Sequence, residues 1–287
     1  MLYQPLFTVF GQPVYMYGVM IAVGIICCFW VLFSYAKVLG LKEEEKDFIF
    51  YNGIASIAVG FLGSAVWQGL FNYIDDVKNG EQATFSLNGG ITAIGGLLSG
   101  ALCFIVISII FRKKYPYLLD KVVMFAPCCM TVAHAFGRLG CFFAGCCYGR
   151  EVHSGDAFAF LAVHFPYGTS AYSNGNAIYP TQLFEAIFLF VLFFVTSILL
   201  LKKKFRYNMV VYLAAYGVWR FLIEFLRADY RGSFVGGLTP SQTQSLFLII
   251  GAVPVFFLIR YFSKKREAYE AEKANERIKA ETSDNDD

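Results

Sequence analysis

The sequence predicts an all-α, polytopic integral membrane protein with seven transmembrane helices and a small external cap, and three observations carry that expectation. The composition is too apolar for a soluble chain: of 287 residues, 57% are hydrophobic, 18% aromatic and only 16% charged, with a mean hydropathy of +0.54. Apolar stretches recur at lengths near the roughly 20 helical residues that cross a hydrocarbon core about 30 Å thick. Basic clusters occupy every second connection between them. The 8 prolines and 26 glycines are scattered through apolar text, which excludes a disordered or collagen-like chain, and 31 phenylalanines exclude a solvated one. Little chain remains for a separate soluble domain, so any chemistry must sit in or on the bilayer.

Taken in order, the spans are residues 14–36, 48–74, 91–111, 122–143, 183–201, 209–226 and 246–262. No basic residue precedes Lys37, so the first run reads as a span and not as a cleavable signal peptide. The connections carry in turn Lys37, Lys42 and Lys46; Lys78; Arg112, Lys113 and Lys114; Arg150; Lys202, Lys203, Lys204 and Arg206; Arg227 and Arg231; and Lys264, Lys265 and Arg266. Under the positive-inside rule this alternation puts the N-terminus outside and the C-terminus in the cytoplasm. The longest connection, residues 148–181, then faces outside, and its Gly, Asn, Ser and aromatic content suggests a folded cap. Glycines 60, 63, 69, 96 and 100, with Ser99, let helices approach closely. Residues 1–262 form the membrane domain. The tail, 263–287, holds six Lys/Arg against eight Asp/Glu, alternating at helical spacing with no apolar face. It reads as a solvated extension that frays by Asp284. No nucleic-acid footprint is visible, and no internal repeat supports a transporter.

Ionisable residues inside the spans are the informative ones, because each costs about 2.5–3.5 kcal/mol at mid-membrane before pairing. Arg138, Glu185, Arg220 and Glu224 are such residues, and together they must face one another, water or a bound charge. Arg220 and Glu224 are four apart and share a helix face with Tyr216 and Tyr212, the spacing of an ion pair. Arg138 has no acid among its helical neighbours, which include His134, Ala135 and Cys141. It is therefore expected to bind an external anion such as a lipid phosphate, or else to snorkel to the headgroups. His153 and His164 lie in the outer loop and read as exposed. Cys141, Cys146 and Cys147 make a C-x4-C-C pattern without the C-x2-C spacing of common metal sites, and read first as packing residues or a stray disulfide, with a metal or redox role as the other reading.

The stretch HAFGRLGCFFAGCCYGR, His134 to Arg150, resembles the signature of the bacterial prolipoprotein diacylglyceryl transferase family. The likeness continues in register through Tyr15-Met-Tyr17-Gly18, Gly89-Gly90-Ile-Thr-Ala-Ile94-Gly95-Gly96 and Tyr179-Pro180-Thr-Gln182-Leu-Phe184-Glu185-Ala186. Tyr216, Arg220, Phe221 and Glu224 match the sixth-span pattern, and Gly237-Leu-Thr-Pro-Ser-Gln242 matches the one opening span seven. The resemblance covers about residues 13–262. It implies a bacterial cytoplasmic-membrane enzyme whose site faces the outer leaflet. There, the thiol of a prolipoprotein signal-peptide cysteine attacks the glycerol carbon of phosphatidylglycerol, forming a thioether and releasing glycerol phosphate.

By the same resemblance, Arg138, Arg220, Glu224, Tyr17 and Tyr216 are the catalytic candidates. Arg138, Arg220, Gly95, Gly96, Gly149, Gln182, Glu185 and Gln242 are the substrate-binding ones. No cofactor, metal or protein nucleophile is implied. Ile94 stands where the family's third-span motif carries a histidine, and Cys141 and Cys146 replace its signature asparagine and glutamate. The thiol proton must then go elsewhere, with His134, Glu185, Glu224 and Tyr17 as candidates. Two other readings stay open: a paralogue that moves a phospholipid-derived group to another acceptor, and a non-catalytic lipid-binding membrane protein.

Overall fold

The computed structural model describes residues 3–87, 90, 92–228 and 237–283, with side chains described as far as residue 276. Gly89, Ile91, Arg231 and Asp284 lie outside the described residues. Among the described residues, seven helices are long and apolar enough to cross a membrane. They are α1 (Met16–Tyr35), α2 (Glu43–Asn79), α3 (Ala93–Ile110), α4 (Leu118–Ala144), α5 (Thr181–Lys203), α6 (Asn208–Ile223) and α7 (Pro240–Ser283). A short hairpin of β1 (Phe7–Val9) and β2 (Gln12–Val14) precedes them, turning at Phe10 and Gly11, both with positive φ.

Each expected span finds its helix, with differences at the ends. α2 starts at Glu43, where the Lys42 amide donates to the Glu45 side chain at 2.9 Å, and it stops where Gly80 takes a left-handed φ of 72°. α6 tightens after Ile223 into a 3-10 turn over Glu224–Leu226. α7 begins well before the apolar run, with Pro240 in the first turn, and its helix continues through the charged tail to Ser283.

The chain divides into two compact units, residues 36–121 and residues 1–35 with 122–287. In the first, small residues bring α2 and α3 to backbone contact. A Cβ on Gly96 would lie 3.1 Å from the Gly60 carbonyl oxygen, and one on Gly100 would lie 2.9 Å from that of Ser56. Asn52 donates across the contact to the Phe104 carbonyl and the Ser108 hydroxyl, at 3.1 and 3.2 Å. Lys121 is held by both oxygens of Glu45 at 3.1 Å.

In the second unit α1 meets α4 closely, since a Cβ on Gly24 would stand 3.1 Å from the Ala133 carbonyl. The Asn208 amide at the start of α6 donates to the Met124 carbonyl of α4 and the Thr196 carbonyl of α5, at 3.2 and 3.0 Å. Gly217 lets α6 pack on α7, where a Cβ would fall 3.1 Å from the Ser245 carbonyl. The connection between α4 and α5 is folded. Val163 and Ile178 exchange backbone hydrogen bonds, Val152 donates to Ala177, and Phe165, Ala171 and Ile178 make a small core. Arg150 grips Asp156 with both terminal nitrogens, at 2.8 and 3.1 Å, and holds that carboxyl down to about 2.

Candidate active site

Glu185, one turn into α5, is fully buried and gathers groups from two other helices. Its Oε2 lies 3.1 Å from Nε of Arg138 on α4, and its Oε1 accepts a 2.8 Å hydrogen bond from the Tyr216 hydroxyl on α6. His134, one turn before Arg138, brings Nε2 to 3.8 Å from the same carboxylate and sits edge-on to Tyr216, ring centroids 5.0 Å apart. Tyr212 stacks parallel on Tyr216 at 5.8 Å. Burying this carboxylate is tolerable only because a cation and a donor meet it. Arg138 thus has an in-chain partner, contrary to the sequence expectation, because the acid comes from another helix 47 residues on. Its side chain is 14% exposed and does not snorkel. The Glu185 contact is made through Nε.

A second group of charges sits where α6 ends and α7 begins. Arg220 Nη1 meets Glu224 Oε2 at 2.8 Å, as the four-residue spacing predicts, and Nη2 donates to the Ser241 hydroxyl at 2.6 Å. Thr239 donates to the other Glu224 oxygen at 2.8 Å. Thr239 and Gln242 also close a reciprocal cap on α7: the Thr239 amide donates to the Gln242 side chain, and the Gln242 amide donates to the Thr239 hydroxyl. Gln242 therefore starts the helix that holds this group. Arg227, only 2% exposed at its side chain, brings Nε to 3.8 Å from Glu224. In the sequence Arg227 reads as a loop charge, and neither it nor Ser241 or Thr239 stands out as a site residue. The signal was its place one turn after Glu224.

Between α4 and the cap the chain turns sharply. Gly145 and Cys147 both take left-handed φ, 66° and 62°. The turn is pinned from the start of α5, where the Gln182 side chain donates to the Cys146 carbonyl at 2.6 Å and Thr181 donates to the Cys147 carbonyl at 3.0 Å. Cys141, Cys146 and Cys147 are brought together, with their sulfurs all within 4.8 Å of one another and none in a disulfide. Hydrogen bonds from Cys141 and Cys146, then the nearby Arg138 and Arg227, hold the Cys147 thiol well below its ordinary value. Cys146 receives a lowering hydrogen bond from Cys141, but its bond to Cys147 and burial outweigh it and push it up to about 11. Tyr17 of α1 lies beside Gly140, whose added Cβ would meet its ring at 3.0 Å, within electrostatic reach of the three thiols.

Gly149 stands where two backbones cross: its amide donates to the Tyr179 carbonyl at 3.0 Å, and Arg150 donates to the Leu226 carbonyl at 2.8 Å. A Cβ there would fall 2.7 and 2.8 Å from those two carbonyl oxygens, neither of which can swing away. Gly149→Ala is expected to destabilise the protein by about 1–3 kcal/mol, seen as a lower Tm in detergent, with no comparable effect of Gly137→Ala, where the added Cβ meets open space.

Of the sequence candidates, Arg138, Glu185 and Tyr216 form one contact group and Arg220, Glu224 and Gln242 the other. Gly95 and Gly96 belong to the 36–121 unit, where Gly95 receives Trp67 and Gly96 carries the helix contact; Ile94 beside them is half exposed. Both candidate carboxylate bases are already engaged by arginines and hydroxyls, so taking a proton would break a buried ion pair. Protonating His134 would put a second cation one helical turn from Arg138.

A model of the family described as prolipoprotein diacylglyceryl transferase matches residues 4–258. A Clostridium tetani protein named phosphatidylglycerol–prolipoprotein diacylglyceryl transferase is 34% identical over 261 residues, covering 89% of this chain and 97% of the relative. A Clostridium perfringens protein with that name and the number 2 is 31% identical over 262 residues, covering 90% and 95%. One from Enterococcus faecalis is 30% identical over 280 residues, covering 95% of both.

Proposed function

Because this chain belongs to the prolipoprotein diacylglyceryl transferase family, we propose that it transfers the diacylglyceryl group of phosphatidylglycerol to prolipoproteins, using Arg138 to hold the lipid phosphate. The chain is a membrane transferase of lipoprotein maturation. The acceptor atom is the thiol of the signal-peptide cysteine, and the leaving group is glycerol phosphate. As the carbon–oxygen bond breaks, negative charge grows on the phosphate, and a cation already in place stabilises it without reorganisation.

The observation that carries this reading is the side-on Arg138–Glu185 contact. Glu185 meets Nε, while Tyr216 steadies the carboxylate from behind. The two terminal nitrogens of Arg138 then form the fork that grips phosphate oxygens. Arg220 is placed differently, since Glu224 and Ser241 engage its two terminal nitrogens. It serves as a positioning residue that keeps the start of α7 against α6, and Arg227 adds positive charge beside it. Purified protein given phosphatidylglycerol and a peptide with a lipoprotein-type cysteine should yield a thioether adduct by mass, with glycerol phosphate in equal amount. A folded protein that forms neither would overturn the assignment.

The enzyme lies in the bacterial cytoplasmic membrane, with residues 1–262 as the catalytic membrane region, the cap and both charge groups toward the outer leaflet, and the tail in the cytoplasm. The alternation of basic clusters supports this orientation. A reporter fused after Lys265 is expected to be cytoplasmic and one inserted near Asn174 external; an external C-terminus would put the site on the wrong leaflet for exported substrates.

A further inference from the structure

We propose that Cys141, Cys146 and Cys147 form a three-thiolate zinc site whose fourth position is open to the sulfur of the acceptor cysteine. The three sulfurs already lie within 4.8 Å of one another. Around a tetrahedral zinc with bonds of about 2.3 Å, thiolates sit roughly 3.8 Å apart, so small side-chain rotations close the site. The backbone is prepared for this independently of the sulfurs. The left-handed turn at Gly145 and Cys147 folds the later pair back over Cys141, where the Cys146 amide donates to the Cys141 carbonyl at 3.1 Å. Thr181 and Gln182 hold the carbonyls of Cys147 and Cys146 from α5. A non-glycine residue in the left-handed region persists only where its surroundings over-determine it, and such positions gather at functional sites.

The chemistry of the donors selects the ion. Three sulfurs are soft ligands that favour zinc over magnesium or calcium, and three protein ligands with an open fourth position is the pattern of a catalytic zinc. Three thiolates around a divalent cation carry a net charge of −1. Arg138 and Arg227 both lie within electrostatic reach of Cys147. All three cysteines are partly exposed.

Resting on the reading of the acceptor as a cysteine thiol, the site supplies the deprotonation that neither carboxylate is free to perform. The acceptor S–H proton passes to water as its sulfur bonds to zinc. That sulfur then forms the new bond to the glycerol carbon, while the carbon–oxygen bond breaks and its electron pair leaves with glycerol phosphate. The resulting thioether is a weaker ligand than a thiolate and departs.

The test uses the full chain in detergent, with metal content measured after removal of unbound zinc. We expect about one zinc per chain, reduced roughly fivefold or more in Cys141→Ser and in Cys147→Ser variants that keep the wild-type elution profile. The cobalt-loaded protein should show thiolate charge-transfer bands, and a cysteine peptide, but not its serine counterpart, should shift the visible bands. Zinc no higher in the wild type than in the serine variants would overturn the site, while leaving the Arg138 reading untouched. Bound metal whose bands ignore the cysteine peptide would overturn the open position. A metal-loaded chain whose bands respond to the peptide but which forms no thioether would support the site and count against the proposed transfer.

Discussion

Arg138→Ala is expected to lower the transfer rate by about a hundredfold to a thousandfold, the range seen when one preorganised donor to a developing anion is removed. Arg138→Lys keeps the charge but loses the planar fork, and should fall about tenfold, near 1.4 kcal/mol. If the phosphate is gripped mainly in the transition state, both variants lower turnover more than they weaken lipid binding. The alanine variant also strands Glu185, which is fully buried and would keep the Tyr216 hydroxyl, the distant His134 and the longer-range attraction of Arg220. An uncompensated buried charge costs about 3–5 kcal/mol, so misfolding could imitate a catalytic loss. Arg138→Ala with Glu185→Gln removes the stranded charge. A folded double variant that stays inactive supports the phosphate role, whereas wild-type rates in that variant would remove Arg138 from the chemistry.

Arg220→Met alone should destabilise the protein by about 3–5 kcal/mol, because it leaves Glu224 buried with Thr239 and the more distant Arg227. Adding Glu224→Met takes away the second charge, and most of the lost stability should return, read as the unfolding midpoint in detergent. Recovery of activity with stability would confirm Arg220 as a positioning residue. A stable double variant that remains inactive would show instead that Arg220 contacts the substrate.

The seven spans are legible in the sequence because each is an apolar run whose length the bilayer dictates, and Arg220 with Glu224 because their pairing is local to one helix. Arg138 with Glu185 is not legible by the same means. The two residues lie on different helices, and nothing in the helical neighbourhood of Arg138 announces an acid in α5. Arg227 is not legible because an apolar run followed by a basic residue looks like a span leaving the membrane; the 3-10 turn at Glu224–Leu226 instead carries its side chain into the buried charge group. The cysteine cluster escaped a spacing rule written for ligands on a regular turn. Here left-handed backbone at Gly145 and Cys147 shortens the path between sulfurs, and no count of intervening residues reports a φ angle.

α7 is one helix of 44 residues, which at about 1.5 Å per residue makes a rod roughly twice as long as the hydrocarbon core is thick. Mechanically it is a lever. One end carries Thr239 and Ser241 against Glu224 and Arg220, and the other is a charged arm clamped near its base by the Arg206–Glu267 contact at 2.5 Å. Pro254 lies partway along, where it has no amide to offer the helical ladder. A load applied to the arm would meet the clamp and then the proline before it reached the charge group.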